Sequence, residues 1–295
     1  MISNNVPAHL LVTARTGFLT TATPDVPAYA DVAAVLPMDA TSQDLVDIGG
    51  SPMPTSWKGR PETQDFIEKK LTVQTAEWTI KVGISYRAVR DDKTNELRRK
   101  CESAGDNFQL DISQKVYKTL NDGETILGYD GLPFFDNAHI DKGAVYTVGQ
   151  DNLFSVDLDV DGVEDVLVPA RRFRDDQGNF VNYGHDLLIV APELERAAAV
   201  VTGKGLFMPT DTANANPYAG TLNYRVSEQL DSTAWMLVAT KRKVKPVIIA
   251  MREKPGLRAA NFDPDGPDGG MYYFWFGGSY DHYLGDWRTA VMGKS

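Results

Sequence analysis

The sequence predicts an α+β chain, and three patterns carry that prediction. In "WTIKVGISY", Trp78, Ile80, Val82, Ile84 and Tyr86 alternate with Thr79, Lys81, Gly83 and Ser85, the two-residue period of a half-buried strand. Further on, Leu97, Cys101, Ala104, Phe108, Ile112, Val116 and Leu120 recur at steps of three or four, one apolar stripe of a helix. The stretch "HDLLIVAPELERAAAVVTG" then reads as a buried strand over 187–191, a helix opened at Pro192 and a stop at Gly203.

Each element follows in chain order. Residues 1–50 are rich in Ala, Thr, Pro and Asp and show little periodicity. Pro24, Pro27 and Pro37 interrupt any long helix or central strand. Leu10, Leu11, Phe18, Val32, Val35 and Ile48 are too many apolar residues for a solvated linker, so an extended arm lying along a surface is expected. Leu71 and Val73 fall on the opposite phase to Trp78, which places a bulge or strong twist near Ala76. The preceding "TSWKGRPETQDFIEKK" supplies a return strand, making 56–86 a long hairpin whose apolar face needs a cover. The helix that follows spans about 91–121, with Asp91, Asp92 or Thr94 at its start, Gly123 at its end, and Gly105 and Asp111 weakening its middle. At 1.5 Å per residue such a rod is roughly 40 Å long. Residues 206–226 read as loop, and "TAWMLVAT", "KPVIIAMRE" and "MYYFWF" as strands.

With 295 residues and 42% apolar content the chain can bury a substantial core. Its net charge of −10 argues against a dedicated nucleic-acid binder. A lone cysteine, Cys101, excludes an internal disulfide framework and fits synthesis in a reducing cytosol. Neither a signal peptide nor a membrane span is expected.

The strongest chemical motif is "DLDVDGVED", in which Asp157, Asp159, Asp161 and Gly162 match positions 1, 3, 5 and 6 of a calcium loop. Position 12 of that loop requires a bidentate Glu and is Val168 here. The better reading is that Asp159 or Asp161 caps a helix beginning near Val163 and carrying Val166, Leu167 and Phe173. The terminal "GKS" lacks the first glycine of a phosphate loop, since Arg288 stands there. His9, His139, His185 and His282 have no metal-ligand spacing, and no Gly-x-Ser-x-Gly elbow occurs. Cys101 lies on the apolar stripe and reads as core. A carboxylate pair among the 40 acidic residues stays open, so a soluble α+β hydrolase with a carboxylate or calcium-assisted site is the alternative. Lys241, Arg242, Lys243 and Lys245 form either a solvated strand end or a patch facing phosphate or another subunit.

The order of these features resembles the major head subunit family of phage Mu. The resemblance rests on Trp57 and Gly59, on Val82-Gly83-Ile84-Ser85, and on Tyr129-Asp130-Gly131 followed by Phe134-Phe135-Asp136 and His139. It also rests on "DLLIVAPELERAA", "WMLVATKRKVKPVIIAMREKP" and the stretch from Phe276 to Trp287, together spanning about 55–290. The family is similar in fold to the Hong Kong 97 coat protein. That likeness implies an N-terminal arm (1–50), an extended loop (51–89), a spine helix (91–121), a peripheral domain (90–165 and 240–295) and an axial domain (166–239).

It further implies self-assembly into hexamers and pentamers of an icosahedral head around double-stranded DNA, with no catalysis and no cofactor. Partners would be a separate scaffold protein, a portal and a decoration protein, with DNA held non-specifically and no membrane. Lys58, Lys69 and Lys70 lie in the expected hairpin, but no asparagine partner for a covalent cross-link is identifiable. Subunit contacts are expected from Trp57, Arg60, Glu62, Phe66, Glu68, Trp78, Ile80, Val82 and Ile84, the apolar members lying over a neighbour and the charged ones setting register.

Overall fold

The computed structural model describes residues 6–48, 68–91, 94–140, 144, 146–203 and 218–294. Their helices and strands, in chain order, are α1 (Ala8–Ala22), β1 (Ala33–Pro37), β2 (Ser42–Ile48), β3 (Glu68–Gln74), β4 (Ala76–Ser85), α2 (Tyr86–Arg90) and α3 (Thr94–Asn121). There follow β5 (Leu153–Phe154), α4 (Val160–Ala170), β6 (Leu187–Val190), α5 (Glu195–Val201), β7 (Asn223–Val226), β8 (Ala234–Val238), β9 (Val247–Asp263), β10 (Met271–Leu284) and β11 (Ala290–Lys294).

The long helix takes the expected stripe, and all seven of its residues are buried. They face a four-stranded sheet of order β1-β9-β10-β4, while α1 packs beside α3 on the same sheet. Phe18 of α1 joins the three layers: its ring stacks on Phe276 of β10 at 4.2 Å and meets Phe108 of α3 edge-on at 5.6 Å. The helices approach closely because the crossing is lined by glycine. A Cβ on Gly105 would lie 2.2 Å from Thr21 Oγ1 and 2.6 Å from the Phe18 carbonyl oxygen. Thr21 Oγ1 also donates to the Glu102 carbonyl at 2.7 Å, tying α1 to α3. Gly105, read from the sequence as a weak point of the helix, is its docking notch.

A second sheet, of order β5-β11-β8-β6-β7, is covered by α4 and α5. β6 and β8 are buried along their full lengths, which explains their unbroken apolar runs. Gly203, at φ +69°, sits just past α5 as the stop signal requires. The C-terminal strand β11 crosses from the first sheet's neighbourhood to pair with β8, so this sheet joins residues 153–154 and 290–294 to 187–238.

Several expectations need correction. Residues 8–22 form α1, a helix buried at Leu10, Ala14 and Phe18 rather than an extended arm. Its stripe was masked by Ala, Thr and Gly, which carry little hydrophobic contrast. Among the described residues the strand carrying Trp78 forms no hairpin with β3, and the expected return segment 56–67 lies outside those residues. Instead β4 pairs antiparallel with β10, from Met271↔Ser85 to Tyr280↔Ala76. β3 belongs to another ribbon, antiparallel to β2, from Ser42↔Gln74 to Ile48↔Glu68. The phase change near Ala76 is therefore a change of sheet at Thr75. Residues 223–226 are strand rather than loop, parallel to β6.

Candidate assembly surfaces

The β2–β3 ribbon leaves the body from one anchored end. Val73 is buried with Met38 and Ala250, and Leu45, Leu71 and Tyr283 pack against them. The Tyr283 hydroxyl accepts from Gln74 N at 2.8 Å and donates to Gln74 O at 3.0 Å, a two-point clasp. On the open face, Asp44 accepts from Thr72 Oγ1 at 2.7 Å and pairs with Lys70 at 2.8 Å. The hydrogen bonds from Lys70 and Thr72 lower the Asp44 pKa. A two-stranded ribbon is marginal alone, so this one depends on its clasp and on whatever its far end meets. That end leads into 49–67, so the expected contacts Trp57, Arg60, Glu62 and Phe66 lie outside the described residues. Glu68 opens β3 opposite Ile48.

The four expected contacts on β4 have a different fate. Val82 and Ile84 are 8% and 1% exposed and belong to the chain's own core, while Ile80 packs against that core half-buried. The apolar face reserved for a neighbour is covered by α3, because β4 is an edge strand of the sheet that α3 crosses. Only Trp78, 37% exposed, shows a substantial edge. Its Nε1 donates to Tyr280 O at 3.0 Å, and the Lys115 ammonium sits 2.9 Å from its ring centroid. Asp111 holds that arrangement, accepting from Lys115 Nζ at 2.7 Å and from the Tyr280 hydroxyl at 2.9 Å. On the opposite face, Lys81 lies over Tyr273 at 3.7 Å and Trp275 at 5.0 Å, a half-buried aromatic ladder. Sequence reading took those aromatics for core or interface and missed the lysine across the strand.

The basic turn between β8 and β9 is exposed at Lys241, Arg242 and Lys243, and several of its cations also meet groups of their own chain. Lys241 pairs with Asp186 at 3.4 Å, Arg242 donates to Asn182 O and lies 5.5 Å from the Tyr183 ring, and Lys245 donates to Thr240 O. Lys243, Val244 and Lys245 instead wall one side of an apolar groove of about 260 Å³. Val35, Leu36 and Ile248, with Leu45 and Leu71 of the ribbon, also line it.

Distant segments meet in a buried polar knot beside the second sheet. His139 Nδ1 lies 2.7 Å from Asp130 Oδ2 and its Nε2 lies 3.1 Å from Asn152 Oδ1, so both ring nitrogens face acceptors. The ring stacks on Trp287 at 4.2 Å. Asn152 Nδ2 donates to the carbonyls of Phe134, Trp287 and Ala290, at 2.8, 3.2 and 3.3 Å. Nearby, Asp286 accepts from Tyr129, Tyr183 and Arg288. Burial and the Asp286 charge push the Tyr183 pKa up. The bonds of Tyr129, Asp130, His139 and Asn152 tie loop 122–152 to itself and to the chain's end, and Tyr183 joins the same end through Asp286. The "YDG", "FFDNAH" and "GDWR" motifs are this knot seen in one dimension.

The calcium-loop aspartates are helix punctuation. Asp159 caps α4, its Oδ1 accepting from Gly162 N at 2.6 Å, and Asp161 lies in the first turn. Among the described residues no cluster of three His, Cys, Asp or Glu is placed to hold a metal. Cys101 is buried, and burial pushes its thiol pKa up to about 12.

Two further histidines set a pH response. Burial lowers the pKa of His185 and of His282 from 6.5 to about 4. The unfolded chain therefore takes up protons between pH 6.5 and 4 that the native chain refuses. Stability is expected to fall as pH drops through that window and to level off below it, by on the order of 3 kcal/mol per histidine at most. Denaturant melts across pH 7 to 4 check this, and His185→Gln should flatten part of the slope. A flat stability profile in the wild-type chain would contradict it.

Residues 68–292 match the model of a family described as "Phage capsid protein". The chain belongs to that family. No curated protein matches the capsid protein in sequence. In structure it is similar to the procapsid protein of bacteriophage JBD30, with TM-score 0.57 and 18% identity, covering 100% of this chain and 76% of that one. A virus-like particle from Pyrococcus furiosus gives 0.55 at 10% identity, covering 96% and 99%. The capsid of cyanophage P-SCSP1u gives 0.56 at 8%, covering 92% and 89%. The fold is the α+β Hong Kong 97-like capsid fold. As a phage capsid protein the chain is a structural component of the virion and not an enzyme, which disposes of the hydrolase alternative.

Proposed function

We propose that this chain is a Mu-type major head subunit that assembles into hexamers and pentamers through the distal half of the β2–β3 ribbon and the segment it carries. The observation behind this reading is the ribbon itself: two strands clasped to the body at Val73 and Tyr283 and running outward from there. The expected loop contacts Trp57, Arg60, Glu62, Phe66 and Glu68 all lie at or beyond that outward end. Of the β4 residues, Trp78 alone keeps a role at a neighbour's edge. The head would form in the host bacterial cytoplasm with a separate scaffold and a portal, and would enclose double-stranded DNA held without sequence preference. A JBD30 capsid is described as decorated with minor capsid protein trimers, which supports a decoration protein here.

Deleting 46–70 and joining Leu45 to Leu71, which face each other across the ribbon, tests the proposal. The shortened chain, 25 residues smaller than the 32.5 kDa full chain, should keep its melting temperature but remain a monomer in size-exclusion chromatography. Capsomers of ordinary size from the shortened chain would refute the ribbon's role.

A further inference from the structure

One edge of β4 is open. Its other edge pairs with β10, and among the described residues no strand takes the free side. The Trp78 carbonyl faces β10, since a Cβ on Gly277 would lie 3.1 Å from it, whereas the Gly83 carbonyl accepts from Lys100 Nζ of α3 at 3.3 Å. Backbone groups alternate along a strand, so Glu77, Thr79 and Lys81 turn their N–H and C=O groups away from β10. All three are exposed, and they share the face on which Lys81 lies over Tyr273 and Trp275. Such an edge invites a further strand, and a lysine on it ordinarily keeps strands away. Here the lysine has a complement. Glu77 and Lys81 stand two residues either side of the neutral Thr79. No other strand edge repeats that balance: β1 and β5 carry no charge, β7 carries only Arg225, and both charges of β2 are acidic. In β3, setting Glu68 on Lys70 would also set Lys69 on Lys69.

We infer that β4 pairs antiparallel with β4 of a second copy about a twofold axis at Thr79. Thr79 then faces Thr79, and each Glu77 faces Lys81 of the other copy, pairs that exchange backbone hydrogen bonds. Residues directly opposite bring their Cβ atoms to about 5 Å, within reach of an ion pair. The charges also fix the register. A slip of two residues leaves Glu77 opposite Thr79 or Gly83, and a slip of four sets Glu77 on Glu77 or Lys81 on Lys81. The inference rests on the capsid reading above. Rings of subunits are built from head-to-tail contacts, so a twofold contact joins one capsomer to the next. The apolar face of β4 stays under α3, and only its edge is used.

A single cysteine tests this. Thr79→Cys sets two cysteines opposite each other at the axis with Cα atoms about 5.5 Å apart, a separation that a disulfide spans. The native Cys101 is buried with a raised thiol pKa and stays silent. Assembled under reducing conditions and then oxidised, the variant is expected to run as a linked dimer on a non-reducing gel. Thr20→Cys, at an exposed position on α1, is the control and should run as a monomer. In parallel, Glu77→Lys should lower the yield of closed shells about tenfold while leaving free capsomers, and adding Lys81→Glu should restore it. Shells that form normally yet give no dimer beyond that of the control, or a double variant no better than Glu77→Lys, overturn the inference and leave the capsid reading standing. A chain that never associates under any condition overturns both.

Discussion

Replacing Gly105 with alanine is expected to destabilise the subunit by about 3 kcal/mol, at the upper end of ordinary overpacking costs. The new Cβ would meet Phe18 O at 2.6 Å and Ala22 N at 2.9 Å. These are backbone atoms of α1, so no side-chain rotation relieves the clash and the helix itself must move. Moving α1 disturbs the Phe18–Phe276 stack and the Thr21–Glu102 hydrogen bond together, because one rigid helix carries both partners. Urea unfolding of the unassembled chain measures the loss. Leu110→Ala, an exposed change on the same helix, should stay within about 0.5 kcal/mol and serves as the control. An alanine variant as stable as the wild type would mean that α1 does not dock where it is described.

His139→Leu should cost about 3 kcal/mol, the upper end of the range for leaving a buried hydrogen-bonding group without its partner. The ring and the Asp130 carboxylate are both almost fully buried, so no water replaces the lost partner. The substitution also strips a donor from Asn152 Oδ1 and the stacking partner from Trp287. Asp130→Asn, which keeps a polar group of the same shape beside the imidazole, should cost less than His139→Leu. Because the knot joins loop 122–152 to the last strand, fraying of β11 should appear first in amide exchange. Equal, small effects from both variants would show that the knot is incidental to the fold.

The elements legible in the sequence were those whose burial alone sets the pattern. The α3 stripe from Leu97 to Leu120 survives because one helix face meets one continuous core. The β6–α5 unit and the Asp159 cap were legible because proline, glycine and aspartate punctuate them locally. Illegible features depended on partners far away in the chain. α1 docks through small residues and a glycine notch, which leave no hydrophobic signature. β9 and β10 run to 17 and 14 residues, well past their apolar runs. Their middles hold Pro255 and Gly277-Gly278 at register shifts, and such residues read as breaks when seen singly. The alternation of β4 correctly announced a buried face, yet a one-dimensional pattern cannot say whose surface buries it. Here α3 of the same chain does so for Val82 and Ile84, and the proposed contact with a neighbour falls instead to the β2–β3 ribbon.

Electron cryomicroscopy of the assembled protein, at a resolution that traces strands, tests this most directly. The expected map shows closed shells in which the ribbon 42–74 of each subunit reaches onto the adjacent one, with β4 inside its own subunit beneath α3. A map in which the ribbon lies only against its own body, while β4 is the strand seated on the neighbour, would contradict it.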